Sequence, residues 1–310
     1  MNAAAGLVIA TRKSKLALWQ AEHVAALLRR AHPRLSVELL PMSTKGDRIL
    51  DRSLAAIGGK GLFIKELESA IEDGRAHLAV HSMKDMPGDL PDVMMLAAML
   101  PRADPRDALV AGGARRLADL PRGARLGTSS LRRRAQLLAA RPDLHIAELR
   151  GNVDTRLKRL DDGELDAMVL AAAGLSRLGL EARIGALLDP DVSLPAVGQG
   201  VIGIECRTDD TATREAVQTL DDPAARAAVS AERAFARRLG GSCQSPIAAF
   251  AELDSGRLTL RGLVAEPDGS RIIRDTIAGP IAEAEALGDR LAERVLTAGA
   301  RELLERLAHG

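Results

Sequence analysis

The 310-residue sequence contains no tyrosine, three phenylalanines, one tryptophan and two cysteines. So few aromatic rings argue against the stacking platforms on which single-stranded nucleic acids are held. Two cysteines in unlike settings exclude a disulfide framework and point to a reducing compartment, the cytoplasm. No apolar run reaches the roughly 18 residues of a transmembrane helix, so no membrane partner is expected. Met1 to Gly6 carries no basic segment followed by an apolar one, and no secretory signal is expected. Net charge is only +1, short of the positive excess of a general nucleic-acid surface. What remains is an ordinary globular composition, 46% hydrophobic and 27% charged, long enough for two or three domains.

Short apolar strands alternate with amphipathic helices over about the first 200 residues. Strands are expected at Leu7–Ala10, Val37–Leu40, Leu78–Val80, Arg125–Gly127, Leu144–Leu149 and Ala167–Leu170. Helices follow them: one with apolar positions Leu16, Trp19, Val24, Leu27 and Leu28, stopped by Pro33; one from Leu62 to about Asp73; one at Leu131–Ala140. This rhythm predicts parallel sheets covered by helices on both faces. Pro101 and Pro105 mark a boundary, and Ser193–Gly200 reads as a return crossing into the apolar strand Val201–Cys206. Beyond residue 219 the texture changes to a helix at Ala224–Leu239, three strands near Ile247–Glu252, Arg257–Ala265 and Arg271–Ala278, and a final helix at Ala282–Leu307. The turn Pro267-Asp268-Gly269-Ser270 makes the last two strands an antiparallel hairpin. The division expected is therefore 1–100 with 201–218, then 101–200, then a C-terminal α+β domain over 219–310.

In open α/β sheets, ligands bind beyond the carboxyl ends of the strands. Those ends hold Arg12 and Ser14, Thr44 and Lys45, Lys84 and Asp85, Thr128 to Ser130, and Arg150 and Asn152. One such loop reads as a solvated turn, but five cationic and hydroxyl loops at one topological place point to a small polyanion. Arg132, Arg133 and Arg134 follow a hydroxyl cap in the first turn of a helix, where guanidinium forks and free amides suit a carboxylate or phosphate. Arg150, Arg156 and Arg177 add further forks, and several forks imply several carboxylates. Asp85 is the odd charge here; it reads equally as an ion-pair partner or as a stabiliser of cationic charge on a substrate.

Two motif matches fail on context. Gly198-Gln199-Gly200-Val201-Ile202-Gly203 has the letters of a dinucleotide fingerprint but opens a strand instead of a helix. His77 and His81 bracket a strand, which separates them by roughly 13 Å, too far to share a metal, and no metal site is expected. The cysteines divide sharply. Cys206 lies in an apolar strand and reads as inert, whereas Cys243 lies in Gly240-Gly241-Ser242-Cys243-Gln244-Ser245-Pro246, an open loop near Arg233, Arg237 and Arg238. A thiol in that setting is accessible and cationically flanked, as reactive thiolates are.

Ordered motifs along nearly the whole chain resemble those of the porphobilinogen deaminase (hydroxymethylbilane synthase) family. They are Ile9-Ala10-Thr11-Arg12-Lys13-Ser14-Lys15-Leu16-Ala17, Ser43-Thr44-Lys45-Gly46-Asp47, Gly61-Leu62-Phe63 and His81-Ser82-Met83-Lys84-Asp85-Met86-Pro87. They continue in Gly127-Thr128-Ser129-Ser130-Leu131-Arg132-Arg133, Leu149-Arg150-Gly151-Asn152-Val153-Asp154-Thr155-Arg156, Val197-Gly198-Gln199-Gly200 and the Cys243 loop. The resemblance implies a transferase of haem and other tetrapyrrole biosynthesis that condenses four porphobilinogen molecules head to tail, releasing ammonia, to give hydroxymethylbilane. It implies a dipyrromethane cofactor held by a thioether to Cys243, and Asp85 as the group stabilising protonated pyrrole and azafulvenium states. Ser82, Lys84, Thr128, Ser130, Arg132, Arg133, Arg150 and Arg156 would hold the cofactor. Arg12, Ser14, Gln20, Arg150, Arg156 and Arg177 would hold substrate. The fold implied is two α/β domains like type II periplasmic binding proteins, with mixed, mostly parallel sheets and the ligand crevice between them, and a third, α+β domain with a three-stranded antiparallel sheet, acting as a monomer. Ser242 and Ser245 depart from the residues most frequent in the family, as does Arg134, but the thiol is kept. A non-enzymatic anion receptor of periplasmic type is the competing reading; it predicts a signal peptide and no reactive thiol.

Overall fold

A computed structural model describes residues 6–44, 64–240 and 245–309. Contacts divide the chain into two compact units, Met1–Ala103 with Val201–Arg226, and Asp104–Gly200 with Ala227–Gly310. Among the described residues, no helix is long and apolar enough to cross a membrane.

In the first unit, strand β1 (Leu7–Arg12) leads into helix α1 (Lys15–Ala31) through Ser14, whose Oγ accepts a hydrogen bond from Ala17 N at 3.3 Å. The buried face of α1 is Ala17, Gln20, Ala21, Val24, Ala25 and Leu28. Leu16, Trp19 and Leu27, which the apolar pattern puts in the core, are only half-buried. The small alanines let the helix lie close to the sheet, so bulk moves to the margins of the contact. Strands β2 (Val37–Met42) and β3 (Leu78–Ser82) flank β1 in parallel, and helix α2 (Lys65–Glu72) precedes β3. The sheet is completed by β4 (Met94–Met99), which arrives before the chain leaves the unit. Its order is β2-β1-β3-β10-β4, where β10 (Ile202–Arg207) is antiparallel to both of its neighbours.

The second unit repeats the plan. Strands β5 (Asp107–Ala111), β6 (Arg125–Gly127), β7 (His145–Ala147), β8 (Ala167–Ala171) and β9 (Ala186–Leu187) are ordered β7-β6-β8-β5-β9. Here β5 is the strand antiparallel to its neighbours. In each sheet the reversed strand is the first one the chain forms after passing into that unit. Helices α3 (Leu131–Ala140), α4 (Val153–Asp161) and α5 (Ala172–Arg177) connect the strands. The expectation of mixed, mostly parallel sheets holds for both.

After α6 (Thr211–Gln218) and α7 (Pro223–Arg238), the chain forms an antiparallel sheet of β11 (Ile247–Asp254), β12 (Arg257–Ala265) and β13 (Ile272–Pro280). Ile247 to Ala251 are buried without alternation because both faces of the sheet are covered. One face packs on Phe235 of α7 and on Leu287 and Leu291 of α8 (Ala284–Val295). The other packs Ala248, Phe250, Leu263 and Ala265 on Ala135 and Leu194. The single helix expected over Ala282–Leu307 is divided. Gly299 adopts φ 106°, a left-handed conformation that interrupts α8 before α9 (Arg301–His309) begins. β4 and α6 have little sequence signature; Met94-Met95-Leu96-Ala97-Ala98-Met99 is apolar without branching or alternation.

Gly288 sets how closely α8 approaches α7. A Cβ there would lie 2.3 Å from the Ala231 carbonyl oxygen and 2.7 Å from the Ala234 Cβ. Gly288→Ala should therefore destabilise the protein by about 1–3 kcal/mol, because backbone must move to admit the methyl group. Urea denaturation measures this; an unchanged midpoint would mean that the helices part at no cost.

Candidate functional site

In the first unit the site residues cluster where β1 and β3 end. Gln20 is buried on the second turn of α1, and its Nε2 donates to Ser82 Oγ at 2.8 Å, tying the helix to the end of β3. The chain then makes one tight turn, Met83–Asp85. Met83 and Met86 are buried on either side of it, and Met83 N donates to Val201 O at 3.0 Å. These two anchors leave Lys84 half-buried and Asp85 exposed. Gly203 makes room for the first of them, since a Cβ there would sit 2.2 Å from Met83 Sδ. Arg12 and Ser14 are half-buried at the end of β1 and the start of α1.

Beneath this turn lies a buried acid–imidazole pair, His81 Nε2 with Glu205 Oε2 at 2.9 Å. Burial, and next the charge of Glu205, raise the Glu68 carboxyl above its ordinary value. His77 is engaged elsewhere, accepting from Val8 N at its Nδ1. Among the described residues, no group of three or more His, Cys, Asp or Glu could hold a metal ion.

The second unit carries the arginines. Thr128 is buried, and its Oγ1 accepts from Ser130 N at 3.2 Å; Ser130 Oγ in turn accepts from Arg133 N at 3.4 Å, capping α3. Ser129 Oγ donates to Leu149 O and accepts from Leu149 N, joining this turn to the one after β7. The Arg132 and Arg133 side chains are only 5% and 8% exposed. Both meet Asp107 at the start of β5: Arg132 Nη1 at 2.9 Å and Nη2 at 3.2 Å, Arg133 Nε at 3.0 Å and Nη2 at 2.7 Å. The sequence leads one to expect two forks reaching for a ligand; here each grips a carboxylate of the protein itself. Burial alone would raise the Asp107 carboxyl, but the charges and hydrogen bonds of both arginines outweigh it and hold it far below the ordinary carboxylate range.

Arg150, Arg156 and Arg177 are all half-buried. Arg150 Nε donates to Glu148 Oε1 at 2.8 Å and Arg156 Nε to Gly151 O at 2.8 Å. Arg177 Nη2 donates to Gly200 O at 2.7 Å, and burial pulls its guanidinium down to about 10. Asn152 caps α4 through Thr155 N. Gly198-Gln199-Gly200, with φ of 68° at Gly198 and 89° at Gly200, leads into strand β10 and not into a helix, so the dinucleotide fingerprint fails on context as expected.

Asp107 and its other partners are what pattern reading overlooks. Ser193 Oγ donates to its Oδ2 at 2.7 Å and Gln199 Nε2 to its Oδ1 at 2.9 Å. The available signal was a lone acid heading the apolar run Ala108-Leu109-Val110. Glu232, wholly buried on α7, accepts from Gly198 N at 2.7 Å and Ala251 N at 2.8 Å.

Cys206 is free and buried, and burial, with a smaller effect from Asp210, pushes its thiol up to about 11. That is an unreactive thiol at neutral pH. Cys243 lies outside the described residues, as do Lys45, Gly46-Asp47 and Gly61-Leu62-Phe63.

Two family models match the chain: "Porphobilinogen deaminase, dipyromethane cofactor binding domain" over residues 7–215 and "Porphobilinogen deaminase, C-terminal domain" over residues 226–297. A porphobilinogen deaminase of Chromobacterium violaceum is 56% identical over 298 residues, 96% of this chain and 96% of that protein. One from Syntrophotalea carbinolica is 56% identical over 301 residues, 97% of this chain and 96% of that protein. Among solved structures, the periplasmic VFT2 domain of Bordetella pertussis BvgS aligns with 69% of this chain and 86% of its own, at TM-score 0.43 and 15% identity.

The charge at Asp107 makes a prediction about acid. Its folded pKa lies below the unfolded one, so the stability it contributes is fully present above the ordinary carboxylate value of about 4. That stability is lost as pH falls from there toward the folded value. Asp107→Asn should lower the unfolding free energy at neutral pH by about 3–5 kcal/mol, since two buried guanidinium groups lose their counter-charge. In denaturation series at several pH values, the gap from the parent should narrow below about pH 4. A gap that does not change with pH would show that Asp107 titrates alike in both states.

Proposed function

The chain belongs to the porphobilinogen deaminase family, an enzyme family with a dipyrromethane cofactor, and from that premise we propose that it condenses four porphobilinogen molecules head to tail, with loss of ammonia, to give hydroxymethylbilane. The observation that carries this reading is the match of residues 7–215 to the cofactor-binding model. The reading includes a monomeric cytoplasmic enzyme built of three parts: 1–100 with 201–218 bearing Asp85, 101–200 bearing the arginine sites, and 219–310 bearing Cys243.

The residues fit an acidic two-pyrrole group. Arg132 and Arg133 bring two positive charges to one Asp107 carboxylate, so their shared site keeps a net positive charge that a ligand carboxylate complements. The buried thiol of Cys206 is a poor nucleophile, which leaves Cys243 for the thioether. When bound, the dipyrromethane supplies the acceptor pyrrole to which substrate units are joined. The chain's own residues do the rest. Arg132, Arg133, Arg150 and Arg156 bind the cofactor's carboxylates, and Ser82, Lys84, Thr128 and Ser130 add hydrogen bonds. Arg12, Ser14, Gln20 and Arg177, with Arg150 and Arg156, receive the acetate and propionate arms of incoming porphobilinogen. Guanidinium groups suit carboxylates, and Arg132 and Arg133, whose forks already hold Asp107, offer a ligand only their remaining N–H groups.

Asp85 then opposes the positive charge that develops on the substrate pyrrole as ammonia leaves. A carboxylate held by a rigid turn needs no reorganisation at that moment, which is the main way a fixed charge lowers a barrier. The buried Met83 and Met86 supply that rigidity. A non-enzymatic anion receptor would use the arginines but would account for neither Asp85 nor a reactive Cys243.

Asp85→Asn should lower kcat about 10²–10³-fold or more with an unaltered circular dichroism spectrum; wild-type turnover would rule out the electrostatic role. Intact mass under denaturing conditions tests the attachment. The parent chain and Cys206→Ala should both exceed their amino-acid masses by a two-pyrrole unit, and Cys243→Ala should not. A parent chain with no added mass would overturn the cofactor reading.

A further inference from the structure

Asp107 receives six hydrogen bonds from four side chains, although a carboxylate offers only about four lone-pair positions. It is wholly buried. A buried pair of cations on one acid is a costly way to stabilise a core, because apolar residues of similar volume usually serve as well or better. Its geometry, however, does something that apolar packing would not. The planar forks of Arg132 and Arg133 are fixed in orientation, and the N–H groups not spent on Asp107, Leu194 O or Val169 O keep set directions.

The same carboxylate also fixes the segment from Ser193 to Gly200. Ser193 and Gln199 donate to it directly, and Gln136, one turn along α3 from Arg132, exchanges hydrogen bonds with Leu194 N and O. The far end of the segment accepts from Arg177 through Gly200 O. Arg132 and Arg177 therefore bond to this strap directly and Arg133 reaches it through Asp107, the point where Arg132, Arg133 and the strap meet.

We infer that Asp107 is a positioning residue, which holds Arg132 and Arg133 in the orientation that retains the dipyrromethane carboxylates. The inference rests on the functional reading above. Its distinguishing consequence is a coupling between Asp107 and the cofactor, separate from any general loss of stability.

The test is a double-mutant cycle on thermal midpoints. The full chain as purified is compared with Cys243→Ala, each with and without Asp107→Asn, and every sample is weighed intact under denaturing conditions. The parent should melt above Cys243→Ala by the contribution of the bound group. In Asp107→Asn that gap should shrink to less than half, or the folded chain should lose the added mass altogether. Asp107→Glu, which keeps the charge, should recover part of the gap. A merely structural aspartate would lower both midpoints together, and a full gap in folded Asp107→Asn overturns the proposal. Should that variant not fold, Ser193→Ala loosens the same carboxylate more gently; a smaller gap supports the inference and an undiminished one overturns it. If the parent itself carries no added mass, the functional reading fails, and this proposal with it, at a step that does not involve Asp107.

Discussion

A carboxylate taken out of water must be surrounded by donors, and around Asp107 the supply exceeds the demand. Arg132, Arg133, Ser193 and Gln199 all aim at two oxygens that water does not reach. The excess is of hydrogen bonds and also of charge, since two cations face one anion. Desolvation penalises each of the three ions, so the arrangement persists only because each satisfies the others. Several elements of the second unit lean on that mutual satisfaction. It sets the first turn of α3, the start of β5 and the course of Ser193–Gly200, and through Gly200 O it extends to Arg177.

The first unit solves a comparable problem with apolar means. Its key turn is short and carries an exposed acid, and it gains rigidity from two buried methionines and from a glycine that yields space to one of them. Below it, His81 and Glu205 pair in a setting that water does not enter, and Glu205 Oε1 accepts no hydrogen bond among the described residues. Such a pair keeps β3 and β10 in register at the place where Asp85 is presented, because the two residues lie on neighbouring strands. The two units thus position charged side chains by different physics, ion clustering in one and shape in the other.

Much of this was legible in the residue pattern. Strand boundaries at Arg125–Gly127 and Arg257–Ala265 and the helix at Leu131–Ala140 coincide with expectation, because caps, prolines and periodicity all agree there. The inertness of Cys206 was also readable, since an apolar strand determines burial by itself. Other features depend on contacts distant in sequence. Nothing near Arg132 reveals that Asp107 lies within reach, and nothing near Gly198 announces Glu232. The break at Gly299 has no signal in the pattern, because the surrounding residues favour helix so strongly. Ser14, by contrast, caps its helix as its place before α1 suggests.

The strand order of the first sheet bears on how the polypeptide emerges from the ribosome. Among the described residues β4 occupies an edge, and its one strand neighbour there is β10, which is encoded only after the whole of residues 104–200. During synthesis the exposed rim of β3 and the apolar Met94–Met99 segment must wait for a partner that has not yet been translated. Pairings between stretches so far apart are slow to form and leave sticky surfaces open meanwhile. The nascent protein therefore carries a vulnerable interval, which closes when Ile202–Arg207 slots between the two waiting strands.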